Sequence, residues 1–77
     1  MLKSIQNEEE LGFAIFCIEN IAAYLNQPAE KVYDALAMKS SILDSYIVPC
    51  YEALHTQGKD YIIADILEVM EEQGISI

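Results

Sequence analysis

The chain has 77 residues, 53% of them apolar, and its thirteen acidic residues face four lysines and no arginine, for a net charge of −9. A chain of this length holds one core and one domain, burying only about 60% of its unfolded surface. Its apolar content is too high for disorder, and no run of about 18 to 20 apolar residues exists to span a bilayer. The acidic field argues against direct nucleic-acid binding, where Lys and Arg must replace counterions, and against anionic membranes, while it favours a basic protein surface.

The opening MLKSIQNEEE carries a lysine and a triple glutamate without an apolar segment and cleavage site, so it does not read as a secretory signal. The expected location is the cytoplasm. Asn7 then reads as a helix cap, with Glu10 three positions on as its capping-box partner and Glu8 to Glu10 at the positive end of the dipole. A first helix is expected from about Glu8 to Leu25. At 100° per residue, Leu11, Ala14, Ile15, Ile18, Ile21, Ala22 and Leu25 share one face, which Phe13, Cys17 and Tyr24 widen. Phe16 falls outside that arc, beside Glu9, Asn20 and Ala23, either covered by another part of the fold or exposed.

NQP breaks the helix, and Pro28 suits the first position of a second one running to about Lys39, with Ala29, Val32, Ala35 and Leu36 facing inward. SSILD reads as a connector, with Asp44 as the cap of a third segment in which Leu43, Ile47, Cys50, Tyr51 and Leu54 share a face. Pro49 lacks an amide proton, so this segment either bends there or begins again with Pro49 in its first turn. Gly58 is expected to close it in the left-handed conformation. A fourth helix, about Lys59 to Gln73, lines up Ile62, Ile63, Ile66, Leu67, Val69 and Met70, and Gly74 ends it. Four short helices with brief connections predict an all-α bundle, and the first two allow a helix-turn-helix-like pair.

Chemistry-bearing constellations are thin. Cys17 and Cys50 stand far apart in apolar segments without a CxxC pair or a second histidine, so they read as buried thiols, and neither a metal nor a cofactor is expected. The glutamates at 8 to 10 and at 68, 71 and 72 lie on helices, without the oxygen-rich loop of a calcium site, and read as solvated faces. The second helix offers Glu30, Lys31, Tyr33, Asp34 and Met38 to a major groove, with no arginine to grip guanine. LHTQGKDY, residues 54 to 61, holds the single histidine. Catalysis at His55 would require a nucleophile or a metal and an orienting group, which the chain does not supply. His55 fits better near the last carbonyls of the third helix, and no enzyme is expected. Aromatic residues off the core stripes, Phe16, Tyr46 and Tyr61 with Tyr33 at an edge, instead suggest a protein-binding face. Asn20, His55 and Gln57 complete the candidate interface.

The elements FxxFCIENxAxYLN (13–26), VYxAL (32–36), ILDxYIVPxYxxLHTQGxxYI (42–62) and IxxILExMEEQG (63–74) resemble a family of short bacterial proteins known as domain of unknown function 3791. The resemblance covers nearly the whole chain and brings no catalytic residues. It implies operon companionship with proteins similar to ADP-ribosyltransferases, in a toxin–antitoxin or effector–regulator arrangement. The expectation is an acidic, antitoxin-like or regulatory module that binds and masks a protein partner with a basic surface. Homodimerisation is compatible with it, and a helix-turn-helix transcriptional regulator is the alternative.

Overall fold

The computed structural model describes residues 7–77, which form helices and turns and contain no strand. Helix α1 spans Glu8–Leu25. Its start is the expected one: Asn7 is extended, and its side-chain oxygen accepts the Glu10 N–H at 2.8 Å. Its end depends on Asn26, held in the left-handed region at φ 55°. Asn26 N–H bonds Ala23 O at 3.3 Å and Gln27 N–H reaches back to Ala22 O at 2.9 Å, the paired bonds of a Schellman cap. Asparagine tolerates this conformation better than other side chains, because its short amide can hydrogen-bond locally.

Helix α2 (Ala29–Tyr33) follows at once, with Pro28 as its extended N-cap rather than its first residue, so the helix starts one position after the expected start. It runs directly into a π-helical segment, Asp34–Met38, closed by Lys39 N–H on Asp34 O at 2.8 Å. Val32, Ala35 and Leu36 are buried as expected, but Ala29 is exposed, because the first turn projects beyond the core. Ser40 stitches the exit from this segment. Its hydroxyl donates to Ala35 O at 2.8 Å and accepts the Ile42 N–H at 3.3 Å. The nearby Lys39–Asp34 ion pair is exposed on both sides at 3.8 Å and contributes little.

The expected connector is part of the core. Ile42 and Leu43 are fully buried, and a second π segment occupies Leu43–Ile47 with Ile42 at its N-cap. Asp44 is therefore inside the segment and not its cap. Residues 48–50 form a turn, and a short helix α3 starts afresh at Tyr51 and ends at Leu54. Pro49 precedes this restart instead of lying within its first turn; the amide proton it lacks is missing where the ladder is already broken. Helix α4 (Lys59–Glu72) ends through a second Schellman cap, with Gly74 at φ 70° and Ile75 N–H on Met70 O at 2.8 Å.

Gly58 departs from expectation. It is extended, at φ −71° and ψ 159°, and caps the start of α4 rather than closing α3 in the left-handed region. A side chain added there would meet nothing within 4 Å.

The core gathers Ile21 of α1, Val32 and Leu36 around α2, Ile42, Leu43 and Ile47 of the second π segment, and Ile66 of α4. Burying each aliphatic side chain of this kind contributes about 1.5–3 kcal/mol. On α1 the buried side is centred on Phe13, Ala14, Cys17 and Ile21. Leu11 and Ile15, expected inward, are 43% and 45% exposed, and Tyr24 is exposed as well. The apolar arc of α1 exceeds half its circumference, and the elements packed on it, chiefly α2 and α4 with Tyr51 of α3 at one edge, leave Leu11, Ile15 and Tyr24 of that arc exposed. Cys17 is buried, and burial pushes its thiol up to about 12, which keeps it protonated and inert. Cys50 is only half-buried, short of the expectation, and both thiols are free.

Candidate functional site

Three separated stretches meet in one groove of about 300 Å³: Glu9, Phe13 and Phe16 on α1, Tyr51, His55 and Gln57 on α3 and its exit, and Ile62 on α4. The α1 residues belong together by helical spacing, since steps of four and three place 9, 13 and 16 along one stripe. Tyr51 and His55 are one helical turn apart, so α3, although short, presents both rings on the same side.

The groove is built from rings. Phe13 and Phe16 lie nearly parallel, 17° between planes and 6.3 Å between centres. The edge of one ring in the Phe13–Tyr51 pair meets the face of the other at 5.3 Å and 73°. Tyr51 and His55 stack at 4.4 Å and 10°. Such pairs contribute about 0.5–1.5 kcal/mol beyond the area they bury. Phe13 and Ile62 are buried and form the floor, whereas Phe16 remains 37% exposed and His55 and Gln57 are open to solvent.

The polar rim is acidic. Tyr51 Oη donates to Glu9 Oε2 at 3.3 Å, a long bond that ties α3 to the first turn of α1. Partial desolvation raises the Tyr51 phenol above its ordinary value, and the charges of Glu9, Glu52 and Glu10 add to the effect. His55 caps α3 through its backbone, N–H to Tyr51 O at 2.8 Å, while its imidazole lies on the Tyr51 ring. At this helix end the side chain that serves a carbonyl is Thr56, whose hydroxyl donates to Ala53 O at 3.1 Å.

Of the residues expected at an interface, Phe16, His55 and Gln57 are thus brought together. Asn20 lies one turn beyond Phe16 and donates its side-chain N–H to Phe16 O at 2.7 Å. Tyr33 is exposed on α2, and Tyr61 is 56% exposed on the first turn of α4, both outside the groove. Tyr46 is half-buried, and its hydroxyl donates to Asp65 Oδ2 of α4. That bond, ahead of burial and the Asp65 charge, raises the Tyr46 phenol above its ordinary value, and Cys50 and Tyr61 stand close enough to contribute. Phe13, Tyr51 and Glu9 complete the groove, although by periodicity Phe13 and Tyr51 read as core and Glu9 as a solvated charge. The signal that unites them is the 9, 13, 16 stripe together with the 51, 55 pair. Among the described residues, no group of three or more His, Cys, Asp and Glu is placed to hold a metal ion.

A second hollow, of about 350 Å³, opens between Leu25 and Met70 and is bounded by the chain end from Ile75 to Ile77. It lacks the ring clustering of the first. Among the described residues, no helix is long and apolar enough to cross a membrane.

The fold and the groove together define a small all-α domain with an aromatic, acid-rimmed face. Residues 12–73 match the family described as protein of unknown function (DUF3791), and the chain belongs to that family. No curated protein and no solved structure matches it.

Proposed function

We propose that this chain is an acidic protein–protein interaction module, without catalysis or cofactor of its own, that works in the cytoplasm by binding and masking a partner encoded beside it. The family resemblance suggests a protein similar to an ADP-ribosyltransferase, which makes the role antitoxin-like or regulatory. The observation that carries the reading is the groove, where Phe16, His55 and Gln57 converge on Phe13 and Tyr51 beneath Glu9. Aromatic side chains half-exposed beside a sealed floor have the character of binding hot spots. The net charge of −9 would steer a basic surface toward them and speed encounter more than it tightens the final complex.

Co-expression with the product of the neighbouring gene tests this directly. The expected result is a complex on size-exclusion chromatography that is lost when Phe16 and Gln57 are both replaced by Ala, with helical circular dichroism unchanged. A complex that survives the double substitution, or no complex at all, overturns the reading. The regulator alternative draws on the α1–turn–α2 pair. A gel shift on the gene's own promoter at low salt decides it, and the charge balance predicts no shift.

A further inference from the structure

The groove that this docking reading rests on has a composition that selects one kind of anchor. We infer that it receives the guanidinium group of an arginine side chain carried on a basic segment of the partner protein. It is lined by π surfaces: Phe16 lies nearly parallel to the Phe13 ring of the floor, and Tyr51, edge-to-face with Phe13, stacks on the exposed His55. Ring faces carry the negative part of the aromatic quadrupole and attract a cation placed over them.

Glu9 supplies the counter-charge at one edge. Glu9 Oε2 accepts the Tyr51 hydroxyl at 3.3 Å. An ionised carboxylate has about four lone-pair sites, so it retains capacity for a fork of N–H donors. Gln57, also lining the groove, adds a neutral amide with a further acceptor oxygen. Among the described residues, Lys31, Lys39 and Lys59 lie outside the groove lining, and the chain contains no arginine, so a cation from another molecule meets no like charge among the lining residues.

Arginine fits better than lysine on physical grounds. Guanidinium is planar, stacks on rings and is weakly hydrated, so entering a ring-walled groove costs it less than it costs a compact, strongly hydrated ammonium. The volume of about 300 Å³ lies at the lower limit for ligand pockets, which suits one side chain rather than a folded surface.

The test follows the aromatic ring signals of the isotopically labelled protein by NMR during titration with hexa-arginine and hexalysine peptides, at about 0.1 M salt to screen long-range attraction. The expected result is that hexa-arginine moves the Phe16, Tyr51 and His55 ring signals and binds more tightly than hexalysine. Phe16→Ala, which leaves the charge unchanged, and Glu9→Gln should each weaken hexa-arginine binding by about two- to five-fold or more. Glu68→Gln, an equal charge change on exposed α4 surface, should not. Equal binding of the two peptides, or indifference to Phe16→Ala, overturns the inference. If the ring signals do not move but Phe16→Ala still abolishes the complex with the neighbouring gene product, the arginine anchor fails and the docking reading survives. If that complex also ignores Phe16→Ala, both fail.

Discussion

Replacing Tyr46 by Phe removes one hydroxyl and keeps a ring of nearly the same shape against the core. The hydroxyl donates to Asp65 across 19 positions of sequence, tying the Leu43–Ile47 π segment to the middle of α4. A hydrogen bond to a charged group contributes about 1.5–3 kcal/mol. Both residues are half-buried, so water can reach the abandoned carboxylate, which places the expected cost at or just below the lower end of that range, at about 1–1.5 kcal/mol. A domain of this size loses about 4–8 °C in Tm per kcal/mol, so Tyr46→Phe should melt about 4–12 °C below the wild type. Thermal unfolding followed by circular dichroism measures this, and Asp65→Ala with the double variant completes the cycle. Single losses that simply add, with coupling below about 0.3 kcal/mol, would refute the bond as a structural tie.

The same bond has a pH signature. It holds the Tyr46 proton, raising the phenol above 10.0, first through the hydrogen bond to Asp65 and then through burial and the carboxylate charge. The unfolded chain therefore releases this proton at lower pH than the folded one. The stabilisation is complete below about pH 10 and is lost as pH rises through the folded-state value. Wild-type stability should fall toward that of Tyr46→Phe above about pH 10, and a constant gap from pH 7 to 12 would contradict this. If Tyr46 is a strut rather than a contact residue, the variant should also bind the partner as tightly as wild type at 25 °C.

Two further outcomes follow from where the structure departs from helical bookkeeping. Gly74→Ala should cost about 1–2 kcal/mol in urea unfolding because φ is positive there, while Gly58→Ala, in extended backbone with open space around it, should be close to neutral; the reverse order would restore the left-handed turn to Gly58. On α1, Ile21→Ala should cost about 2–5 kcal/mol, enough to unfold so small a domain, whereas Leu11→Gln or Ile15→Gln should cost less than about 1 kcal/mol; comparable losses at Leu11 and Ile21 would move the buried face back to where periodicity centres it.

Local chemistry was readable where a single turn of backbone decides the outcome. The bounds of α1, the Asn7 cap and the stop at Gly74 follow from orphan backbone groups and the residues able to satisfy them, and no distant part of the chain is needed. Ile42 was the opposite case. SSILD has the polar composition of a connector, and Leu43 was expected inward, yet Ile42 is fully buried as well, at the N-cap of the second π segment. The candidate site divides in the same way. Phe16, His55 and Gln57 stand out as residues without a place in a helical stripe, but Phe13 and Tyr51 fit the apolar faces of their helices and still line the groove.

The amino-acid order alone determined an acidic, all-α fold of short helices, because helical periodicity, caps and net charge are properties of neighbours along the chain. Which side of an over-wide apolar helix is covered, where the left-handed residues fall, and which rings meet across more than thirty positions were decided only in three dimensions. Those outcomes depend on which elements compete for the same surface, and α1 offers more apolar face than the elements packed on it bury.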